Sequence, residues 1–138
     1  MRERLFKGKR EDNGEWLVSD CIMQFESYFG REGFSVKLWA EKEGWVFVIP
    51  ETVGEYTGLT DKNGSKIFEG DICRFREWAN GDMCWIGKVH YEHQQFVISG
   101  NKNKECESPF TLVMSRFISE NIEVIGNSID NPELLQNT

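Results

Sequence analysis

Tyr56-Thr57-Gly58-Leu59-Thr60-Asp61-Lys62-Asn63-Gly64-Ser65-Lys66-Ile67-Phe68-Glu69-Gly70-Asp71-Ile72 is the stretch that decides the fold. Asn63-Gly64 is a tight-turn signal, because both residues accept positive φ at low cost. Glu69-Gly70-Asp71 is a second turn, feeding a strand at 72–76. Gly70 suits a backbone shape that a Cβ disfavours, and Asp71 can accept nearby backbone amides. Gly58 and Asp61 belong to the same turn-rich run. A Gly-Asp pair followed by an alternating strand commonly opens small SH3-like barrels, a likeness of fold and not of activity.

The alternation continues on both sides. Upstream, Asp12-Asn13-Gly14 separates an extended piece at 4–9 from a strand at 15–18, a first hairpin. Residues 22–35 are ambiguous: Ile22, Phe25 and Phe29 fit one helical face, but Gly30 and Gly33 oppose a long helix, so a connector is expected. Strands follow at 35–40 and 45–49, with a Glu43-Gly44 turn between them and Pro50 ending the second. Residues 53–56 read as extended.

Downstream, 77–82 is a polar loop and 84–91 a strand, with Gly87 marking a bend or bulge. Residues 92–95 turn and 95–98 return. The segment 100–108 is polar, and strands are expected at 110–114 and 121–126. Asn131-Pro132 then opens a short C-terminal helix. The fold class expected is mainly β: an SH3-like barrel over 56–138, with a β-rich extension over 1–55 packed on it. The expected barrel core is Ile72, Phe75, Ile86, Val89, Val97 and Val124, with Trp85. Cys73 should share a face with Phe75.

Composition narrows the function classes. At 39% hydrophobic and 28% charged residues in a 138-residue chain, the sequence is globular and of single-domain size. No apolar run approaches the roughly 18 residues of a membrane span. No long apolar stretch follows the N-terminal charges, so a cytoplasmic chain with reduced cysteines at 21, 73, 84 and 106 is expected. The net charge of −7 opposes non-specific nucleic-acid binding. The first ten residues are the exception: Arg2, Arg4, Lys7, Lys9 and Arg10 face a single Glu3. That segment reads as an edge strand with its charged side in water, or as a grip for an anionic surface.

The run from Tyr56 to Ile72 resembles the signature of the YopX family, proteins of Gram-positive bacteria, their phages and prophages. Ile122-Glu123-Val124-Ile125-Gly126-Asn127 and Asp130-Asn131-Pro132-Glu133-Leu134-Leu135 fit its ending, and Met1-Arg2-Glu3 with Phe6 fits its opening. The stretches Cys21 to Glu43 and Glu77 to Phe110 match in layout only. The resemblance implies a mostly β protein with an SH3-like component in a phage or prophage setting. It implies no enzymatic activity.

Candidate chemistry is sparse. Cys84, His90, His93 and Cys106 lie close in sequence but lack the paired spacing of a structural zinc site, so no metal and no cofactor are expected. Glu69 and Asp71 flank a turn glycine, where acids cap amides more often than they catalyse. Cys84 and His90 are about 20 Å apart on an extended strand, too far for a nucleophile and its base. No phosphate-cradling glycine motif occurs. No enzyme is therefore expected. Two partner classes remain. Arg74, Arg76, Trp78, Trp85, Lys88 and Tyr91 interleave bases with aromatics over a hairpin, a surface that could hold nucleic acid or protein. Trp39, Trp45 and Phe47 give more apolar strand surface than a small barrel covers, so part of it is expected to pack the N-terminal portion on the barrel or to meet a protein partner, a second copy of the chain included.

Overall fold

The computed structural model describes residues 3–26, 33–76, 84–102 and 109–135. The chain divides into two compact units, 1–56 and 57–138.

In the first unit, β1 (Phe6–Lys9) pairs antiparallel with β2 (Trp16–Ser19) through the Asn13-Gly14 turn. Gly14 has φ of +73°, the conformation the Asn-Gly signal predicts. The expected connector contains a strand instead: β3 (Ile22–Glu26) pairs with β4 (Phe34–Ala40), and β4 pairs with β5 (Gly44–Val48). Ile22 and Phe25, three apart on a strand, therefore point to opposite faces, Ile22 onto the core and Phe25 against Phe47. Cross-strand pairing overrides the weak helical spacing. Val36, Leu38 and Val48 form the buried centre, with Phe6, Leu17, Ile22 and Val53 packed on it.

β1 is not an edge strand. It lies between β2 and the start of β6 (Gly54–Thr60), with Phe6 opposite Glu55 and Lys7 opposite Gly54. A Cβ on Gly8 would stand 3.0 Å from Val48 Cγ2 and 3.3 Å from Leu38 Cδ1, so the strand passes close over the core. Its flanking charges are used within the unit: Arg4 pairs with Glu55, and Lys7 and Lys9 lie over the Trp16 ring.

In the second unit the later residues of β6 neighbour β7 (Lys66–Phe68). A five-stranded antiparallel sheet follows, built from β8 (Asp71–Arg76), β9 (Cys84–Glu92), β10 (Gln95–Lys102), β11 (Pro109–Val113) and β12 (Ile122–Asn127). Its order is β11-β10-β9-β8-β12, so the last strand returns beside the first. A helical turn, α1 (Arg116–Ser119), precedes β12. It was not expected from the sequence. Its local cause is Ser115, whose side chain accepts the Ile118 N–H as an N-cap. The C-terminal helix is one 3₁₀ turn at Pro132–Leu135.

The core of this unit differs from the expected one. Ile67, Cys73, Val89, Ile98 and Ile122 cluster, with Phe75, Leu112, Met114, Ile118 and Val124 against them. Cys73 and Phe75 do share that face. Ile72, Ile86 and Val97 hold alternate register positions and belong to the opposite face, where Ile72 and Val97 are also buried. The period of two separates neighbours that apolarity alone groups together. Gly87 is neither bend nor bulge: it pairs with Gly100 in unbroken register. The bulge lies in β12, between Val124 and Gly126.

Candidate interaction surface

The outer face of the β3–β4–β5 sheet is aromatic. Alternation sends Val36, Leu38, Val46 and Val48 inward and Lys37, Trp39, Trp45 and Phe47 outward. Register places Trp39 opposite Trp45, Lys37 opposite Phe47, and Met23 opposite Lys37. The two indoles pack edge to face at 5.5 Å, and Phe25 meets Phe47 at 6.4 Å. Lys37 Nζ lies 4.4 Å from the Phe47 centroid and 5.8 Å from that of Phe25, within cation–π range. Trp39 is 42% exposed, Trp45 39%, Phe47 38% and Met23 39%.

Two open clefts border this face. One is lined by Arg10, Glu11, Asp12 and Glu43 beside Trp45 and Phe47. The other is lined by Leu17, Asp20, Cys21, Glu41 and Lys42 beside Trp39. Arg10 anchors the first cleft. Its guanidinium donates to Asp12 at 2.8 and 2.9 Å and to Glu43 at 2.6 and 2.9 Å, a doubly bidentate contact. The Arg10 side chain is only 12% exposed. The guanidinium holds both carboxyls below their usual range, while their charges raise the arginine further. In the second cleft the Cys21 thiol donates to Asp20 Oδ1 at 3.4 Å, and that carboxylate pushes the thiol pKa up. Cys21 is exposed, whereas Cys73 is buried.

The basic and aromatic hairpin residues do not all share one face. Arg74 opposes Ile86, and Lys88 opposes Ile72, so Arg74 and Lys88 project from one side. Tyr91 is on the other side, stacked edge to face on Phe96 at 5.0 Å. Arg74 is already ion-paired with Glu123, donating through Nε at 3.0 Å and through a second nitrogen to the same oxygen. This pairing holds the Glu123 carboxyl below its usual range. Arg76 and Trp85 hold backbone positions in β8 and β9, and Trp78 lies outside the described residues.

The turn residues carry structural bonds. Asp61 is 5% exposed, and its Oδ1 accepts the N–H groups of Asn63 and Ser65, each at 2.9 Å. Its Oδ2 accepts the Val124 N–H at 2.8 Å. Asp71, 2% exposed, accepts the Phe68 N–H at 2.8 Å across the Glu69-Gly70 turn. Gly58, Gly64 and Gly70 have φ of +87°, +83° and +94°.

One arrangement escaped the sequence. His90 Nε2 is 2.8 Å from Ser99 Oγ, and His90 Nδ1 is 3.5 Å from Glu92 Oε2. Nucleophile, base and orienting acid take this order. Ser99, however, sits in mid-strand opposite both Lys88 and Thr111, where the amides are spent on the ladder and supply no oxyanion site. The pairing joins residues nine apart across a hairpin, which register shows and spacing along one strand does not. Among the described residues, no cluster of three or more His, Cys, Asp or Glu side chains could hold a metal ion. No described helix is long and apolar enough to cross a membrane.

Comparison with known proteins agrees with this architecture. The crystal structure of protein EF1440 from Enterococcus faecalis is similar over 98% of this chain and 99% of that one, with 20% identity and a TM-score of 0.55. The shared fold is mainly β, with a curled half-barrel sheet and one short helix. No curated protein matches the sequence. A family model described as YopX protein matches residues 6–136, taking in the turn motif, the sheet and the C-terminal turn together. The chain belongs to the YopX family of phage and prophage accessory proteins.

Proposed function

We propose that the protein is non-enzymatic and acts by binding a protein partner through the outer face of β3–β5. The observation that carries this reading is the exposed aromatic surface of Met23, Trp39, Trp45 and Phe47, fixed by strand register on a sheet whose inner face is closed. With aromatic side chains of about 150–250 Å² each, these residues leave on the order of 300–400 Å² of apolar surface exposed. That matches the functional patches of monomers. It is less than the ~800 Å² that each partner buries in a standard interface, so the patch serves as an anchor within a more polar rim. The nucleic-acid reading loses support because Arg74 is committed to Glu123 and Tyr91 faces away from it. We also read 56–138 as an SH3-like component with 1–55 as its β-rich extension; the β8–β11 meander with β12 returning beside β8 supports this.

The test is affinity capture from phage-infected or prophage-induced bacterial lysate, with and without nuclease. Wild-type protein should recover a defined partner in a nuclease-insensitive manner, and the Trp39→Ser/Trp45→Ser variant should lose it. Nuclease-sensitive capture, with oligonucleotide binding that falls steeply as salt rises, would overturn the reading.

A further inference from the structure

Among the described residues of the first unit, several aromatic rings lie under a lysine of the chain. Trp16 lies under Lys7 and Lys9, at 4.9 and 5.9 Å, and Phe25 and Phe47 lie under Lys37. The chain itself thus sets ammonium groups over its aromatic faces. Among the described residues, no cation of the chain lies over Trp39 or Trp45, although these are the largest exposed rings of the outer face. Tryptophan is the ring that attracts a cation most strongly.

The charges around the pair favour the same ligand. Glu11, Asp12 and Glu43 line the cleft on the Trp45 side, and Asp20, Glu41 and Glu43 the cleft on the Trp39 side. The cations there are Arg10 and Lys42, and Arg10 is spent on Asp12 and Glu43. The indole pair is therefore a ridge between two clefts of net negative charge. We infer that the Trp39–Trp45 pair docks a lysine or arginine side chain of the partner protein, held over an indole face with the cleft carboxylates around it. This rests on the reading that the outer face binds protein, and it adds the chemistry of the anchor. A nucleic acid would meet the net negative charge of both clefts as like charge, and a purely apolar partner would gain nothing from it.

The probe is a synthetic peptide of alternating glycine and arginine, compared with its neutral citrulline isostere. Binding is followed by the ¹⁵N indole resonances of the full-length chain. The arginine peptide should saturably shift the Trp39 and Trp45 indole signals, and the citrulline peptide should bind about tenfold more weakly. Trp45→Leu should weaken the arginine peptide about fivefold. Asp20→Asn with Glu41→Gln, which leaves both indoles in place, should weaken it about threefold and keeps the test valid if Trp45→Leu misfolds. Equal binding of the citrulline peptide, no binding of either peptide, shifts spread evenly over the tryptophans, or self-association that quenches both indoles would each overturn the inference. Undiminished partner capture by the Trp39→Ser/Trp45→Ser variant overturns the protein-binding face itself. Citrulline equivalence overturns only the cationic anchor.

Discussion

The carboxylate of Asp61 accepts the backbone N–H of Val124 at 2.8 Å, joining a turn to a strand 63 residues further on. The same carboxylate closes its own turn through Asn63 and Ser65. The Lys62 N–H adds a fourth bond to this seam by donating to Ile122 O at 3.0 Å. Three backbone donors thus depend on one nearly buried side chain.

Asp61→Ala should therefore be among the most destabilising single changes outside the apolar core. Orphaned buried donors cost about 1–3 kcal/mol each, partly relieved by water, so a loss of roughly 3 kcal/mol is expected. Urea denaturation measures it. A loss below about 1 kcal/mol would mean that water replaces the carboxylate at little cost.

Four glycines should rank by what a Cβ would meet. At Gly64 nothing lies within 4 Å, and at Gly70 only Ser128 Oγ is near, at 3.8 Å. Each therefore costs only its positive φ on change to Ala, about 1 kcal/mol. At Gly126 a Cβ would stand 2.5 Å from Asn131 Oδ1, the acceptor for the Asn127 N–H, so about 2 kcal/mol is expected. At Gly100 it would run into the backbone carbonyl of Ile86, which cannot move aside, and the cost should exceed about 3 kcal/mol. Melting temperatures in the reverse order would refute this steric account.

The β9–β10 hairpin turns through His93 and Gln94, at φ of +50° and +67°. Both are left-handed positions in which neither residue is at ease. His93→Asn with Gln94→Gly should stabilise the chain by about 1 kcal/mol, seen as a raised melting temperature. An unchanged or lowered midpoint would show that the native pair has contacts that offset the strain.

Acid should cost the chain stability through the Arg10 cluster. Asp12 and Glu43 have folded pKa values below their ordinary ones, because Arg10 favours the charged form. Their stabilisation is complete above the unfolded values near ~4 and is lost as pH falls through the lower folded ones. Glu43→Gln should flatten the acid limb of stability measured by denaturation between neutral pH and pH 2. Parallel limbs for variant and wild type would show that the cluster contributes nothing to acid sensitivity.

Legibility in the sequence followed the range of the interaction. Asn63-Gly64 and Glu69-Gly70-Asp71 were readable because turn geometry is set by a few adjacent dihedrals and one short side chain. The outward set of Trp39, Trp45 and Phe47 was readable as surplus apolar surface. Strand β3 was not, because Ile22 and Phe25 fit a helical spacing. Nor was α1, whose local signal is the single cap at Ser115. The Arg74 surface looked available because Glu123, its partner, lies 49 residues away.

The sequence by itself determined the β class, most strand positions, the turn types and the family, since these depend on period-two alternation, positive-φ residues and motif order. Only the tertiary structure decided which residues meet. It put Arg10 between Asp12 and Glu43, set Ser99 on His90, paired Trp39 with Trp45 and separated Ile72 from the Cys73 face. It also turned the basic N-terminal segment from an edge into an interior strand. The reason is register. One residue of slip between strands moves every side chain to the opposite face, and register is settled by the cooperative pairing of whole strands, which no local window of sequence contains.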